Sequence, residues 1–256
     1  MNSPIYQGLH RKLFEAFLNL VDDSETLLAA LLRSADWKDA HSLLSVGGGK
    51  GIIEAAILRN APHASLWYLD PSGEQCDAFR QYMKTEGLSQ RVRDIAQTTY
   101  QDYPTDQQFD RVLSIFSWFY IGTERRWLTK LLNLLTVGGT AILVLPNITS
   151  IETIFYRAFS PDRRMTLVGE EVVSVLGHLD CTVVQNTYVK WLKTDELFVE
   201  QQLSDGSLAL AAFAAERPVT SFKLDEIEKI AELIKTNHKA RGVPLSWDLI
   251  LITRNS

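Results

Sequence analysis

With 256 residues, 46% of them hydrophobic and 22% charged, the chain has the composition of a globular protein of one domain, with room for a cap, and can bury a sizeable core. A formal net charge of −5 and a pI near 5.6 give no field that would gather nucleic acid, and the doubled arginines Arg125-Arg126 and Arg163-Arg164 are short, far apart and read as solvated faces. Neither nucleic acid nor a membrane is expected as a partner, and a monomer or homodimer is expected.

The opening MNSPIYQGLHRKLFEAFLNL has no cationic stretch followed by an uninterrupted apolar block, so a secretory signal is not expected. Within residues 1–35, YQGLHRKLFEAFLNLV has apolar groups at helical spacing and SETLLAALLRSA follows with Ser24 as an N-cap, together a helical cap. At Ser42 the period changes: SLLSV reads as a short buried strand running into glycines and then into the helix GIIEAAILRNA. ASLWYLD is a second strand, stopped by PSGEQ, which opens the helix EQCDAFRQYMKTEG. RVRDIAQTTY is a weaker third strand and FDRVLSIFSWFY a stronger fourth. ERRWLTKLLNLLTVGG reads as a helix ended by Gly138-Gly139, and TAILVLP as a fifth strand.

Strands that alternate with helices and are apolar throughout argue for a doubly wound, mostly parallel α/β sheet covered on both faces. Beyond Pro146, residues 147–168 (NITSIETIFYRAF onward) look like a lid, VGEEVVSVLGHL like a helix, and CTVVQNTYVKWL like an alternating edge or antiparallel strand. Residues 193–243 form a helical insertion with SLALAAFAAERP and LDEIEKIAELIKTNHKARG as helices, and SWDLILITR closes the sheet. No stretch reaches about 18 consecutive apolar residues. Cys76 and Cys181 stand too far apart for a disulfide framework or zinc site, so no metal is expected and the cytoplasm is the expected address.

The stretch SVGGGKG packs Gly47, Gly48, Gly49 and Gly51 into five positions between strand and helix. Such a turn lets a ligand approach the main chain, because glycine lacks a Cβ and adopts positive φ freely. The triphosphate loop GxxxxGK[ST] is absent, and the dinucleotide form GxGxxG fails at Ile52; what fits is GxGxG through Gly47, Gly49 and Gly51. Asp70 stands nineteen positions past Gly51, at the end of the second strand, where a carboxylate can accept both hydroxyls of a ribose.

LLSVGGGKGIIE followed by YLDPSGEQ resembles motif I and the acidic loop of the class I, Rossmann-type S-adenosylmethionine-dependent methyltransferases. The resemblance runs through FDRVLSIFSWFYI, LLTVGGTAILVLP and the final LILIT, and within that class it is similar to the histamine N-methyltransferase-like small-molecule enzymes. It implies a seven-stranded Rossmann-like sheet and S-adenosyl-L-methionine as cofactor. Gly47 to Gly51 would then line its methionine and ribose portions, Asp70 would take the ribose, Gln75 would lie near the adenosine, and Pro71 would be a further cofactor contact. Thr99, Tyr100 and Ile115 would border the adenine and the methyl-bearing sulfur. The glutamate and glutamine that hold the amine in the histamine enzymes are matched here by Asn19 and Phe116, which argues against histamine itself.

Methyl transfer from a sulfonium is a direct displacement in which alignment does most of the work, so few obligatory side chains are expected. Phe116, Trp118, Phe119 and Tyr120 stand at the carboxyl end of the fourth strand, where open α/β sheets bind ligands and where aromatic faces attract a cation. Phe116, Trp118, Tyr120 and Asn147 are the candidates for the reaction site. Phe14, Phe17, Tyr156, Tyr188, Trp191 and Trp247 are further aromatic candidates, and His10, His41, His63, His178 and His238 have no partner at triad or metal spacing. The expected activity is transfer of a methyl group to a small, amine-bearing metabolite. Two alternatives stay open: attack on the methionine chain with release of methylthioadenosine, and a cofactor-binding partner subunit without turnover.

Overall fold

A computed structural model describes residues 20, 23–104, 106–159, 168–215 and 218–255, without the side chains of residues 213 and 214. The expected cap helix over residues 6–21 lies outside them apart from Leu20, as do Phe14, Phe17, Asn19 and part of the expected lid. In chain order the elements are α1 (Ser24–Ser34), β1 (Ser42–Val46), α2 (Ile52–Asn60), β2 (Ser65–Leu69), α3 (Gly73–Thr85), β3 (Val92–Ala96) and β4 (Phe109–Ile115). There follow α4 (Arg125–Asn133), β5 (Leu135–Pro146), α5 (Ile151–Phe159), α6 (Gly169–Leu176) and β6 (Cys181–Leu192). The last are α7 (Thr194–Leu197), β7 (Phe198–Val199), β8 (Gln202–Leu203), α8 (Asp205–Ala215), α9 (Leu224–Thr236) and β9 (Val243–Arg254).

Seven strands form one sheet in the order β3-β2-β1-β4-β5-β9-β6. The first five run parallel; β9 is antiparallel to both its neighbours. This is the doubly wound, mostly parallel architecture expected from the continuous apolar runs. β1 and β2 are buried at nearly every position because helices cover both sides. On one face Leu27 and Leu31 of α1, Ile57 and Leu58 of α2 and Phe79 and Met83 of α3 pack on the sheet. On the other, Leu128 and Leu131 of α4 and Val172 and Leu176 of α6 do so. β6 instead alternates between half-buried and exposed positions, as an edge strand should.

The order reverses between β1 and β4, whose following segments leave toward opposite faces; such a switch point opens a crevice at the carboxyl ends of the strands. β6 and β9 pair over twelve residues, but β5 leaves the ladder at Pro146, opposite Trp247. The remainder of the β6/β9 ribbon projects past the carboxyl end of β5. On it Leu192, Val243 and Leu245 join Phe155 of α5, Leu210 of α8 and Ile230 and Ile234 of α9 in a third apolar cluster. Among the described residues no helix is long and apolar enough to cross a membrane.

One boundary differs from the sequence reading. α4 stops at Asn133 and β5 begins at Leu135 rather than after Gly138-Gly139. Leu134 and Leu135 sink into the same core as Leu131, so hydrophobicity does not mark the passage from helix to strand. Phe109 pairs with Leu135 but Arg111 with Thr140, and Gly138, at φ 76°, lies inside the irregularity this requires.

At the amino ends of the central strands, Asp110 ties the starts of β1 and β4 together. Its Oδ2 accepts the amide N–H groups of His41 at 2.8 Å and Ser42 at 3.0 Å, and its own N–H donates to the Ser42 hydroxyl at 2.9 Å. Desolvation pushes its carboxyl up, but these hydrogen bonds and Arg111 outweigh it and hold the group below its ordinary value. Asp110→Ala is expected to lower stability by about 1–2 kcal/mol at neutral pH in urea unfolding. The difference from wild type should be full above about pH 4 and close as pH falls through the depressed value.

Candidate cofactor and substrate site

The turn from β1 into α2 is built from within. Gly47, Gly49 and Gly51 have φ of 68°, 55° and 84°, the left-handed region closed to most side chains. The Gly47 N–H donates to Leu69 O at 2.7 Å and the Gly51 N–H to Gly48 O at 3.1 Å, so the elbow is pinned to β2 and to itself. A Cβ on Gly47 would lie 2.6 Å from Ser117 Cβ, and one on Gly51 2.5 Å from the Phe79 ring; one on Gly48 would collide with the Glu54 carboxylate. The protein's own packing therefore demands three of the four glycines. At Gly49 the situation is different: a Cβ there would meet only Gln75 Oε1, at 3.8 Å, so open space lies above it.

Asp70 follows β2 directly and is 8% exposed. Its Oδ1 accepts the Ser72 N–H at 2.8 Å. The Tyr68 hydroxyl lies 2.8 Å from Gly49 O and 3.3 Å from Asp70 Oδ2, so one side chain links elbow and carboxylate. Burial raises the Asp70 carboxyl above its ordinary value, opposed by the bonds from Ser72 and Tyr68. Tyr68 itself is pushed up by burial and then by the Asp70 charge, so it stays a phenol and a donor. Each Asp70 oxygen keeps a further lone pair. An open glycine, a carboxylate with spare acceptor capacity and the Gln75 amide around one space fit the nucleoside and amino-acid parts of S-adenosylmethionine.

At the end of β4, Phe116 takes φ 50°, unusual for a residue with a bulky side chain, and the residue is 37% exposed. The strain is held from both sides: the Phe116 N–H donates to Val144 O at 2.9 Å, and the Ser117 hydroxyl donates to Val46 O at 2.6 Å. Phe116 thus stands across the switch point from the elbow. Ile115 is half-buried beside it, and Tyr120, 57% exposed, packs its ring 4.5 Å from Phe119.

Two other expected contact residues turn into the core. Trp118 has no exposed surface and its indole N–H donates to Gly122 O at 3.1 Å; Tyr100 packs edge-on to it at 5.1 Å and donates to Trp127 O. These two are core residues. The Thr99 hydroxyl donates to Asp102 at 2.7 Å, and Pro71 is exposed in the turn that opens α3. Asn147, 5% exposed, gives its amide N–H groups to Asp248 and Glu170 and takes the Thr149 N–H and O–H on its oxygen, so it joins buried groups rather than facing a ligand. Sequence reading passed over Tyr68 and Glu54. The first had a signal: two residues before Asp70 in a strand, it shares that residue's face.

Residues 43–139 match the family described as the methyltransferase domain. Among solved structures, YcgJ from Bacillus subtilis superposes with a TM-score of 0.64 at 15% identity, over 91% of this chain and 99% of that one. YjhP from E. coli gives 0.61 at 16% identity, over 95% and 99%. An O-methyltransferase family protein from Burkholderia thailandensis gives 0.53 at 15% identity, over 64% and 52%. At these identities the likeness is one of fold. The glycine assignment yields a direct expectation. Gly51→Ala should destabilise the protein markedly more than Gly49→Ala, which carries only the cost of a left-handed alanine, about 1–2 kcal/mol; urea unfolding of the two variants compares them.

Proposed function

We propose that the protein, whose residues 43–139 match the methyltransferase domain, passes the methyl group of S-adenosylmethionine to a small amine-bearing metabolite by direct displacement. When bound, S-adenosylmethionine supplies a methyl group activated by the sulfonium. In this reading Asp70 takes the ribose hydroxyls, oriented by Tyr68 and the Ser72 N–H. Gly49 gives the main chain close approach, and Gln75 borders the adenosine. Ile115 and Phe116 form the wall between cofactor and acceptor.

The observation that carries the reading is Phe116. A strained backbone, held by hydrogen bonds on either side, presents an exposed ring at the switch point beside the elbow. An aromatic face in that place draws an ammonium by about 0.5–2 kcal/mol; the amine attacks after giving its proton to water, as the neutral form. Two further features favour an amine. His41, His63 and His178 sit at the far edge of the sheet or beyond it, and His238 is exposed beside Thr194, so among the described residues no imidazole stands ready to deprotonate an alcohol. Glu152, in the first turn of α5 just past β5, has its carboxyl pushed up to about 7 by burial, and a carboxyl so placed gains by meeting an ammonium.

Labelled S-adenosylmethionine offered with a panel of primary and secondary amines should put label on an amine and leave S-adenosylhomocysteine. Methylthioadenosine as the nucleoside product would overturn methyl transfer. Phe116→Ala should lower kcat about tenfold or more while cofactor affinity by calorimetry changes little. Asp70→Ala should do the reverse first, weakening cofactor binding by about 1–3 kcal/mol. Glu152→Gln should raise KM for the amine more than it lowers kcat.

A further inference from the structure

Pairing between the two central strands stops short. β1 and β4 pair only as far as Ser45 and Leu113, whereas β1 stays on β2 to Val46 and β4 stays on β5 to Ile115. Beyond that point two hydroxyls carry the link across the opening. The Ser117 hydroxyl donates its one hydrogen to Val46 O at 2.6 Å, so the fully buried Ser114 hydroxyl, 2.7 Å away, is the donor to Ser117 Oγ. The bare Cα of Gly47 makes room for this bridge, since a Cβ there would lie 2.6 Å from Ser117 Cβ.

Phe116 is therefore strung between both sides of the crevice. Its own N–H is held by Val144 O of β5 at 2.9 Å, and the hydroxyl of the next residue is held by Val46 O of β1. A bulky residue keeps a φ of 50° only under such a double hold. The cost of a left-handed non-glycine residue and the net worth of one hydrogen bond are of the same order, so removing one anchor is enough to tip the balance. The elbow depends on Ser117 far less: the Gly47 N–H donates to Leu69 O, the Gly51 N–H to Gly48 O and the Tyr68 hydroxyl to Gly49 O.

We propose that Ser117 is a positioning residue, whose bond to the end of β1 fixes the Phe116 ring at a set place against the elbow. The wall of the acceptor space is thereby measured from the strand that carries the glycines, and Gly47 is bare to seat the hydroxyl that does the measuring. The ring's role toward the acceptor rests on the function proposed above; its placement by Ser117 does not.

Amide hydrogen exchange on the full chain without ligand, followed residue by residue by NMR, reads the placement. In Ser117→Ala, which keeps the Cβ and loses the bridge, the Phe116 N–H should exchange about fivefold faster, the worth of one hydrogen bond, with Val112 inside the β4 ladder unchanged. Ser114→Ala, which leaves the Ser117 bond in place, should accelerate Phe116 less. Equal acceleration at Phe116 and Val112 marks a general loss of stability and overturns the proposal, as does an unchanged Phe116. Turnover gives the second readout, with the amine that takes most label from S-adenosylmethionine. Ser117→Ala should lower kcat about fivefold while S-adenosylhomocysteine affinity by calorimetry stays within about twofold of wild type. Combined with Phe116→Ala it should be no slower than Phe116→Ala alone, because both changes remove the same contact; losses that multiply overturn action through Phe116. If wild type labels no amine, the proposed function fails, whereas exchange at Phe116 still decides the role of Ser117.

Discussion

One hydroxyl organises the glycine elbow and the carboxylate beside it. Tyr68 reaches from β2 to the carbonyl of Gly49 and to the carboxylate of Asp70, and so converts two features nineteen or more residues apart in sequence into walls of one space. Its ring is stacked 3.9 Å from Phe79, which in turn leaves no room for a side chain at Gly51. The left-handed turn, the helix that follows it and the acidic residue are therefore not independent choices. Removing the phenol would loosen the carboxylate, and enlarging Gly51 would move the ring that holds the phenol in place.

This interdependence explains what could be seen in the sequence and what could not. Short apolar runs separated by helical periods announce a parallel sheet, since strands buried on both faces have no polar side to display. The glycine spacing and Asp70 announce an elbow and a carboxylate. The reasons for the individual glycines were hidden: a one-dimensional reading sees four small residues and one ligand, whereas Ser117, Glu54 and Phe79 are the neighbours that exclude a Cβ at three of them. The aromatic run from Phe116 to Tyr120 was equally opaque. A 3₁₀ turn over Trp118–Tyr120 sends Trp118 inward while Phe116 stays exposed, and a period-two or period-3.6 reading does not anticipate that division. Asn147 misled for a similar reason, because its partners Asp248 and Glu170 are distant in sequence.

The two ends of the crevice differ in how they are made. The elbow side is local: β1, β2 and their turns supply it, and its hydrogen bonds are mostly to main chain. The other side draws on β4, β5 and the helical layer carried by the projecting β6/β9 ribbon. Variation in that layer can be accommodated without disturbing the elbow, since the two belong to different apolar clusters.

The placing of β9 between β5 and β6 bears on how the chain matures as it leaves the ribosome. Residues 42–70, with the elbow and its carboxylate, emerge early and can pair in order. β6 emerges without a neighbour, since the strand that joins it to the sheet is synthesised last. Until then both β5 and β6 offer an open flank, and the third apolar cluster has no ribbon to stand on. A nascent chain would thus complete the elbow well before the helical layer past β5, with chaperone demand concentrated in the interval between the two.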